Sequence, residues 1–449
     1  MLVGNRERDW IVGPGYGGED GVARALCLGE SESLLLEQRR ELYAAPAHAV
    51  NAVRFRSRLR SHVGWSVRRQ TGLTFHSPAR SWKGYTLVTP LGGDATLLLD
   101  MEGRIVQRWY QPGFRVFQAE LLPSGILLAL CTDTSLPPPP ETPFDQPPPP
   151  FERHIRRLGG SASHLRELNW DGQSVWEYRN ETLHHDFVRL QNGHTLIATW
   201  VEIPAELASQ VKGGVRRPGE IFPPMLSDDI LEIDAQGTEV DRIQLWRLLD
   251  PDQDPICPLE QRWEWTHLNS LAVTADGQVV FSCRTNSRIG IVERPTGSLR
   301  WKHGSPETSH QHHATALPSG TVQVFDNGLH RVGLPFSRVV EIDPATNKVV
   351  WEYTGDPPEQ FFSGHISGAE RLPNGNVLVC EGTSGRVFEV TRRQEVVWEW
   401  INPVQTFNRG RYGPWLFRAH RYQPDFPGLA GRALDSHRFA DLTRLYGLP

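Results

Sequence analysis

"RVVEIDPATNKVVW", residues 338–351, holds a β-rich run, an acidic residue, a turn and a second run that closes on tryptophan. Apolar and β-branched residues fill both runs, and D-P-x-T-N is turn chemistry, so the stretch reads as a β-hairpin. The same form recurs as "TLLLDMEGRIVQRW" (96–109), "HLRELNWDGQSVW" (164–176) and "DILEIDAQGTEVDRIQLW" (229–246). It returns as "GIVERPTGSLRW" (290–301) and "RVFEVTRRQEVVW" (386–398). The closing residues are Trp109, Trp176, Trp246, Trp301, Trp351 and Trp398, spaced by 67, 70, 55, 50 and 47 residues.

A second hairpin element flanks each copy, again around a turn glycine. Examples are "AELLPSGILLAL" (119–130), "FVRLQNGHTLIATW" (187–200), "LAVTADGQVVFSC" (271–283), "TALPSGTVQVFD" (315–326) and "AERLPNGNVLVC" (369–380). Two hairpins per unit give about four short strands per 45–50 residues, the period of a propeller blade. The expected fold is all-β, a six-bladed β-propeller with a site in its central channel, and the repeated Trp residues are expected to pack the blades. A single large sandwich would not repeat a tryptophan in this way.

The propeller is expected over residues 76–449, after an N-terminal extension, 1–75, that is irregular or partly helical at "SESLLLEQRRELYAA" (31–45). "SLPPPPETPFDQPPPPFE" (135–152) cannot join a sheet, because proline lacks the N–H donor, and reads as a surface loop. "PAELASQVKGGVRRPGEIFPPM" (204–225) reads as a second insertion, over one mouth of the propeller, and a short helix is expected from about 431.

The 449 residues carry a formal net charge of −5, which speaks for neither nucleic acid nor an acidic membrane as partner. Five cysteines stand singly, as free thiols of a reducing compartment would. The N-terminus has early charges and no signal-peptide core, and no run of about 18 apolar residues occurs. The expectation is a cytoplasmic protein whose partner is a small aromatic molecule; the oligomeric state stays open.

The turn glycines serve as a ruler for the histidines. His185 lies 8 residues before Gly193 and His312 lies 8 before Gly320. His267 lies 10 before Gly277 and His365 lies 10 before Gly375. In an unbroken strand these offsets share one parity, so the four side chains face the same way in four blades. His184 and His313, one residue away, face the other way. The element ending at Gly125 has Phe117 at this place. His164, His194, His303, His330 and His437 lack the registration and are expected on the surface or in loops. Asn269 in "WTHLNS", Arg284 in "SCR", "FDNG" (325–328) and Arg338 stand near the four in the repeat. Arg338 could equally be a blade-to-blade ion pair.

Converging imidazoles with an arginine fork and an amide suit transfer of a sulfuryl or phosphoryl group, whose charge spreads over three oxygens. His185, His267, His312 and His365 would equally suit copper or another transition metal. Spacing alone leaves both open.

"GYTLVTP" (84–90), "HHD" (184–186), "WTHLNS", "SCR", "QHHA" with "FDNG", "SRVVEID" (337–343) and "RLPNGNVLV" (371–379) resemble the bacterial arylsulfotransferases that do not use PAPS. The resemblance runs over roughly residues 72–403. It implies a six-bladed propeller and transfer of sulfuryl between phenols through a sulfohistidine, with no cofactor. It implies His312 as nucleophile, and His185, His267, Asn269 and Arg284 as binders and polarisers of the sulfuryl group, one histidine moving the proton. His365 adds a fourth imidazole. The tail "PWLFRAHRYQPDFPGL" (414–429) and the proline-rich insertion mark a divergent branch. The alternatives are a metal-dependent enzyme on the same fold, an oxidoreductase among them, and a non-catalytic propeller scaffold.

Overall fold

The computed structural model describes residues 70–135, 155–156, 158–215, 224–294, 296–408 and 411–446, and two short antiparallel strands, Trp10–Ile11 and Leu26–Cys27. The chain divides between Trp65 and Ser66. The helix expected at 31–45 and nearly all of the proline-rich stretch lie outside the described residues.

Six antiparallel sheets follow one another along the second unit. The second blade runs Phe114–Leu121, Leu127–Asp133, His164–Leu168, Ser174–Arg179. The third runs Leu183–Arg189, Thr195–Glu202, Leu226–Ile233, Glu239–Gln244. The fourth runs Leu268–Val273, Val279–Cys283, Arg288–Glu293, Ser298–Gly304. The fifth runs His312–Ala316, Val322–Asp326, Arg338–Asp343, Lys348–Tyr353. The sixth runs Gly368–Arg371, Val377–Glu381, Arg386–Val390, Val396–Ile401. The first blade takes Tyr85–Pro90, Ala95–Leu99 and Ile105–Tyr110 from early in the chain and its leading strand, Leu416–Tyr422, from the end. The leading strand of every blade touches that of the next, and the sixth touches the first. The ring is therefore closed, and the fold is a six-bladed β-propeller.

A second clasp reinforces the closure. Gly72–His76 pairs with Val396–Ile401 as a fifth strand of the sixth blade. The propeller thus begins before residue 76, inside the stretch assigned to the extension.

Each blade is buried on both faces, which explains apolar runs such as "RVVEI". Val339 packs toward the sixth blade with Phe325, Val379 and Phe388. Its neighbour Val340 packs toward the fourth with Val280, Ile289 and Val324. Alternation therefore sends successive side chains to different blades, not to core and solvent. The repeated tryptophans act at the rim of these interfaces. Trp109 Nε1 donates to Asn169 O (3.1 Å), Trp301 Nε1 to Asn347 Oδ1 (3.2 Å), Trp351 Nε1 to Arg392 O (3.3 Å) and Trp398 Nε1 to Met101 O (2.8 Å). Each acceptor lies in the outer hairpin turn of the following blade. Trp246 departs from the pattern, because it stands in a 3-10 turn, Leu245–Arg247, after its strand.

The insertion at 204–225 forms a short helix, Ala205–Gln210, and a strand, Gly213–Val215, parallel to Ile256–Gln261. A 3-10 turn, Ser436–Phe439, and a helix, Ala440–Tyr446, end the described chain. No helix among the described residues is long and apolar enough to cross a membrane. Cys131, Cys257, Cys283 and Cys380 form no disulfide.

Candidate active site

The leading strands do not run unbroken. Register shifts fall between Leu183 and Phe187, between Leu268 and Ser270, and between His312 and Thr315. His185 (φ 50°), His267 (φ 57°), His310 (φ 55°), His313 (φ 52°) and His330 (φ 63°) all take the left-handed conformation. That region is uncommon outside glycine, although histidine visits it more often than most residues. The parity argument assumed regular strands, so it cannot be the reason that the histidines meet. Bulges and left-handed turns aim them instead.

His185 and His267 do meet, their ring centroids 4.5 Å apart. The charges of His267, His312 and Arg284 all bear on His185, and those of Arg284 and His267 bear on His312. Three predicted imidazoles and the predicted arginine therefore gather at one place. Asn269 is buried beside them and donates from Nδ2 to Gln311 O (2.7 Å), which fixes the backbone just before His312. His365 lies exposed in the loop ahead of Gly368–Arg371, near enough to act on His312 electrostatically.

His312, His267 and His185 are each held through Nδ1. His312 Nδ1 lies 2.8 Å from Asn327 Oδ1 and 3.1 Å from His310 O. Asn327 Nδ2 donates to Ser363 O and Ile366 O, so its Oδ1 must be the acceptor. The proton of His312 is therefore on Nδ1, and Nε2 keeps its lone pair. His267 Nδ1 lies 2.6 Å from Glu264 Oε2. His185 Nδ1 lies 2.9 Å from His184 Nδ1, and His184 Nε2 lies 2.9 Å from Asp228 Oδ1. Thr266 and Leu268 N also bond Asp228. Gly160 lets this ring in: its φ is +84°, and an added Cβ would stand 2.1 Å from His185 Cε1.

Burial pushes His312 well below the usual histidine range, and Arg284, His267 and His365 add to the effect against the Asn327 bond. Burial does the same to His185, with His267, His184, His312 and Arg284 contributing. Arg284 pairs with Glu260 at 2.8 Å. Burial raises Glu260, but the His310 bond and the Arg284 charge outweigh it and hold the carboxyl at about 2.

His313 turns away, accepting from Ala369 N (3.0 Å) on the sixth blade. Arg338 forms its ion pairs with Asp326 and Glu352 of its own blade, and its Nη2 donates to Glu307 O in the connection from the fourth blade. His164 and His303 are buried rather than superficial, bonded to Ser163 Oγ and Asn347 Oδ1. Sequence reasoning missed Asp186, which follows the doubled histidine in "HHD". Its carboxylate accepts from Gln118, Phe187 N, Leu271 N and Arg418, and so ties four leading strands. It also missed Asp228, Glu264, Glu260 and Arg418. Asn327 was inside the quoted "FDNG" without a role of its own.

Among the described residues, no three of the four histidines offered as a metal set bring their ligand atoms within 4.8 Å of one another. Among the described residues, the group of three donors whose ligand atoms all lie within 4.8 Å of one another is Cys257, His310 and His330.

Residues 159–403, which hold every one of these histidines, match the family described as arylsulfotransferase (ASST). The chain belongs to the arylsulfotransferase family. The arylsulfate sulfotransferase AssT of Escherichia coli O6:H1 is 26% identical to this family member, over 40% of this chain and 43% of the relative. The match thus spans less than half of the relative's length. Among solved structures, a protein of unknown function from Bacteroides caccae superposes with a TM-score of 0.47 at 12% identity, covering 76% of this arylsulfotransferase-family chain and 98% of that one. A virginiamycin B lyase from Staphylococcus aureus gives 0.39 at 10% identity, covering 76% and 94%.

Proposed function

We propose that the protein transfers a sulfuryl group from an aryl sulfate ester to a phenolic hydroxyl through a sulfohistidine on His312. The observation that carries this reading is the Asn327–His312 bond, which leaves a neutral imidazole with its Nε2 lone pair available. In the first half-reaction Nε2 attacks sulfur and the bond from sulfur to the aryl oxygen breaks. His267, whose Nδ1 is held by Glu264, has the charge partner an imidazolium needs and gives its Nε2 proton to the leaving phenolate. Arg284 supplies a planar donor fork to the sulfuryl oxygens, with the buried His185 beside it. In the second half the acceptor hydroxyl returns its proton to His267, its oxygen attacks sulfur, and His312 leaves with its lone pair restored. No metal or organic cofactor takes part in these steps.

The test is a burst. With p-nitrophenyl sulfate and no acceptor, the protein should release about one equivalent of nitrophenol and carry one sulfuryl group on the peptide that contains His312. Adding a phenol should discharge it. Undiminished turnover by His312→Ala, or a label on another residue, overturns the reading.

A further inference from the structure

Outside this cluster, Cys257, His310 and His330 come together from three separate segments. Cys257 lies on Ile256–Gln261, ahead of the fourth blade, and its N donates to Thr285 O (2.8 Å). His310 directly precedes the leading strand of the fifth blade, and His330 lies in the loop between the second and third strands of that blade. Cys257 Sγ stands 3.4 Å from His330 Nδ1. A tetrahedral zinc, with bonds of about 2.3 Å to sulfur and about 2.0 Å to nitrogen, holds such a pair about 3.5 Å apart.

His310 supplies a second, independent sign. Its ring is fully buried and its Nε2 lies 3.1 Å from Glu260 Oε1. Glu260 is also paired with Arg284 and so acts as the acceptor, which puts the proton on Nε2 and leaves Nδ1 with a lone pair. The nearest hydroxyl, Ser309 Oγ at 3.3 Å, spends its one proton on Leu329 O. Ser309 therefore gives the buried Nδ1 lone pair no proton. A carboxylate behind a histidine whose other nitrogen is open is the arrangement that steadies a metal ligand.

We propose that Cys257, His310 and His330 bind a Zn²⁺-class ion, with Glu260 as the carboxylate behind His310. The ion displaces the thiol proton and staples the 256–261 segment to the 327–337 loop of the fifth blade. Three protein ligands leave a fourth position for water. Glu260 also holds Arg284, so the ion sits one residue away from the proposed sulfuryl site without using its histidines. The inference does not depend on sulfuryl transfer.

The test is titration of the chelator-stripped full chain with Zn²⁺ by calorimetry, and with Co²⁺ by absorption. One equivalent should bind, Co²⁺ should give a thiolate charge-transfer band, and Zn²⁺ should slow alkylation of Cys257. Cys257→Ser and His330→Ala should each weaken binding at least about tenfold, while His312→Ala leaves it unchanged. Near-UV circular dichroism checks that the variants fold, and the alkylation assay reads the site in the unaltered chain. Absence of stoichiometric binding, or binding lost in His312→Ala but kept in Cys257→Ser, overturns the proposal. Sulfuryl transfer measured on the stripped protein tests the other reading separately.

Discussion

Arg418 Nη1 lies 2.9 Å from Asp186 Oδ2, and both side chains are buried. The pair joins the leading strand of the first blade to that of the third, across the ring. Removing one partner leaves the other charge desolvated, which costs about 3–5 kcal/mol. Asp186→Asn and Arg418→Met should each lower stability by that order in urea unfolding. The double variant should lose less than the sum of the two, and strict additivity would sink the account.

Asn327 is proposed to set the tautomer of His312. Asn327→Leu should keep the fold yet slow the nitrophenol burst by about 10–100-fold, the usual cost of losing such a partner. Asn327→Asp, which keeps an acceptor at that place, should recover part of the rate. An unchanged burst in Asn327→Leu would show that the bond does not matter.

His185, His312 and His313 are all held well below the usual histidine range by burial. Below about pH 6.5 the unfolded chain takes up protons that the folded chain refuses. Stability should therefore fall as pH drops through that value, by up to about 1.4 kcal/mol per pH unit for each histidine. His313→Gln keeps an acceptor for Ala369 N and should reduce the slope of urea stability between about pH 7 and about pH 5. An identical slope would contradict the assignment.

Trp351 donates to Arg392 O at the rim between the fifth and sixth blades. Trp351→Phe keeps most of the ring surface and deletes the donor. The expected loss is about 1 kcal/mol in thermal or urea unfolding, with sulfuryl transfer unaffected. A loss of transfer with no change in stability would give this tryptophan a role in the site.

The blade pattern was legible because it is local. Hairpin turns, two-faced apolar runs and the closing tryptophan all repeat within one unit. That His185, His267 and His312 come near one another was expected on a parity argument that bulges at Leu183/Phe187 and His312/Thr315 break, and Asn269 and Arg284 were singled out only by their place in the repeat and by the resemblance. His365 shows the limit: it has the right offset and lies off the strand. Partners such as Asp228 for His184, or Glu260 for His310, come from other segments, and nothing local marks them. Only Glu264, three residues before His267, was within reach of a local reading.

The strand Leu416–Tyr422 is the last strand of the propeller to leave the ribosome, yet Arg418 on it reaches the centre of the ring. Until it docks, Asp186 has no counter-charge and the first blade has no inner wall. Assembly of the centre therefore waits for this strand. A nascent chain holds all three proposed site histidines well before it can bring them to bear, and a premature stop anywhere ahead of Arg418 should leave no partial activity behind.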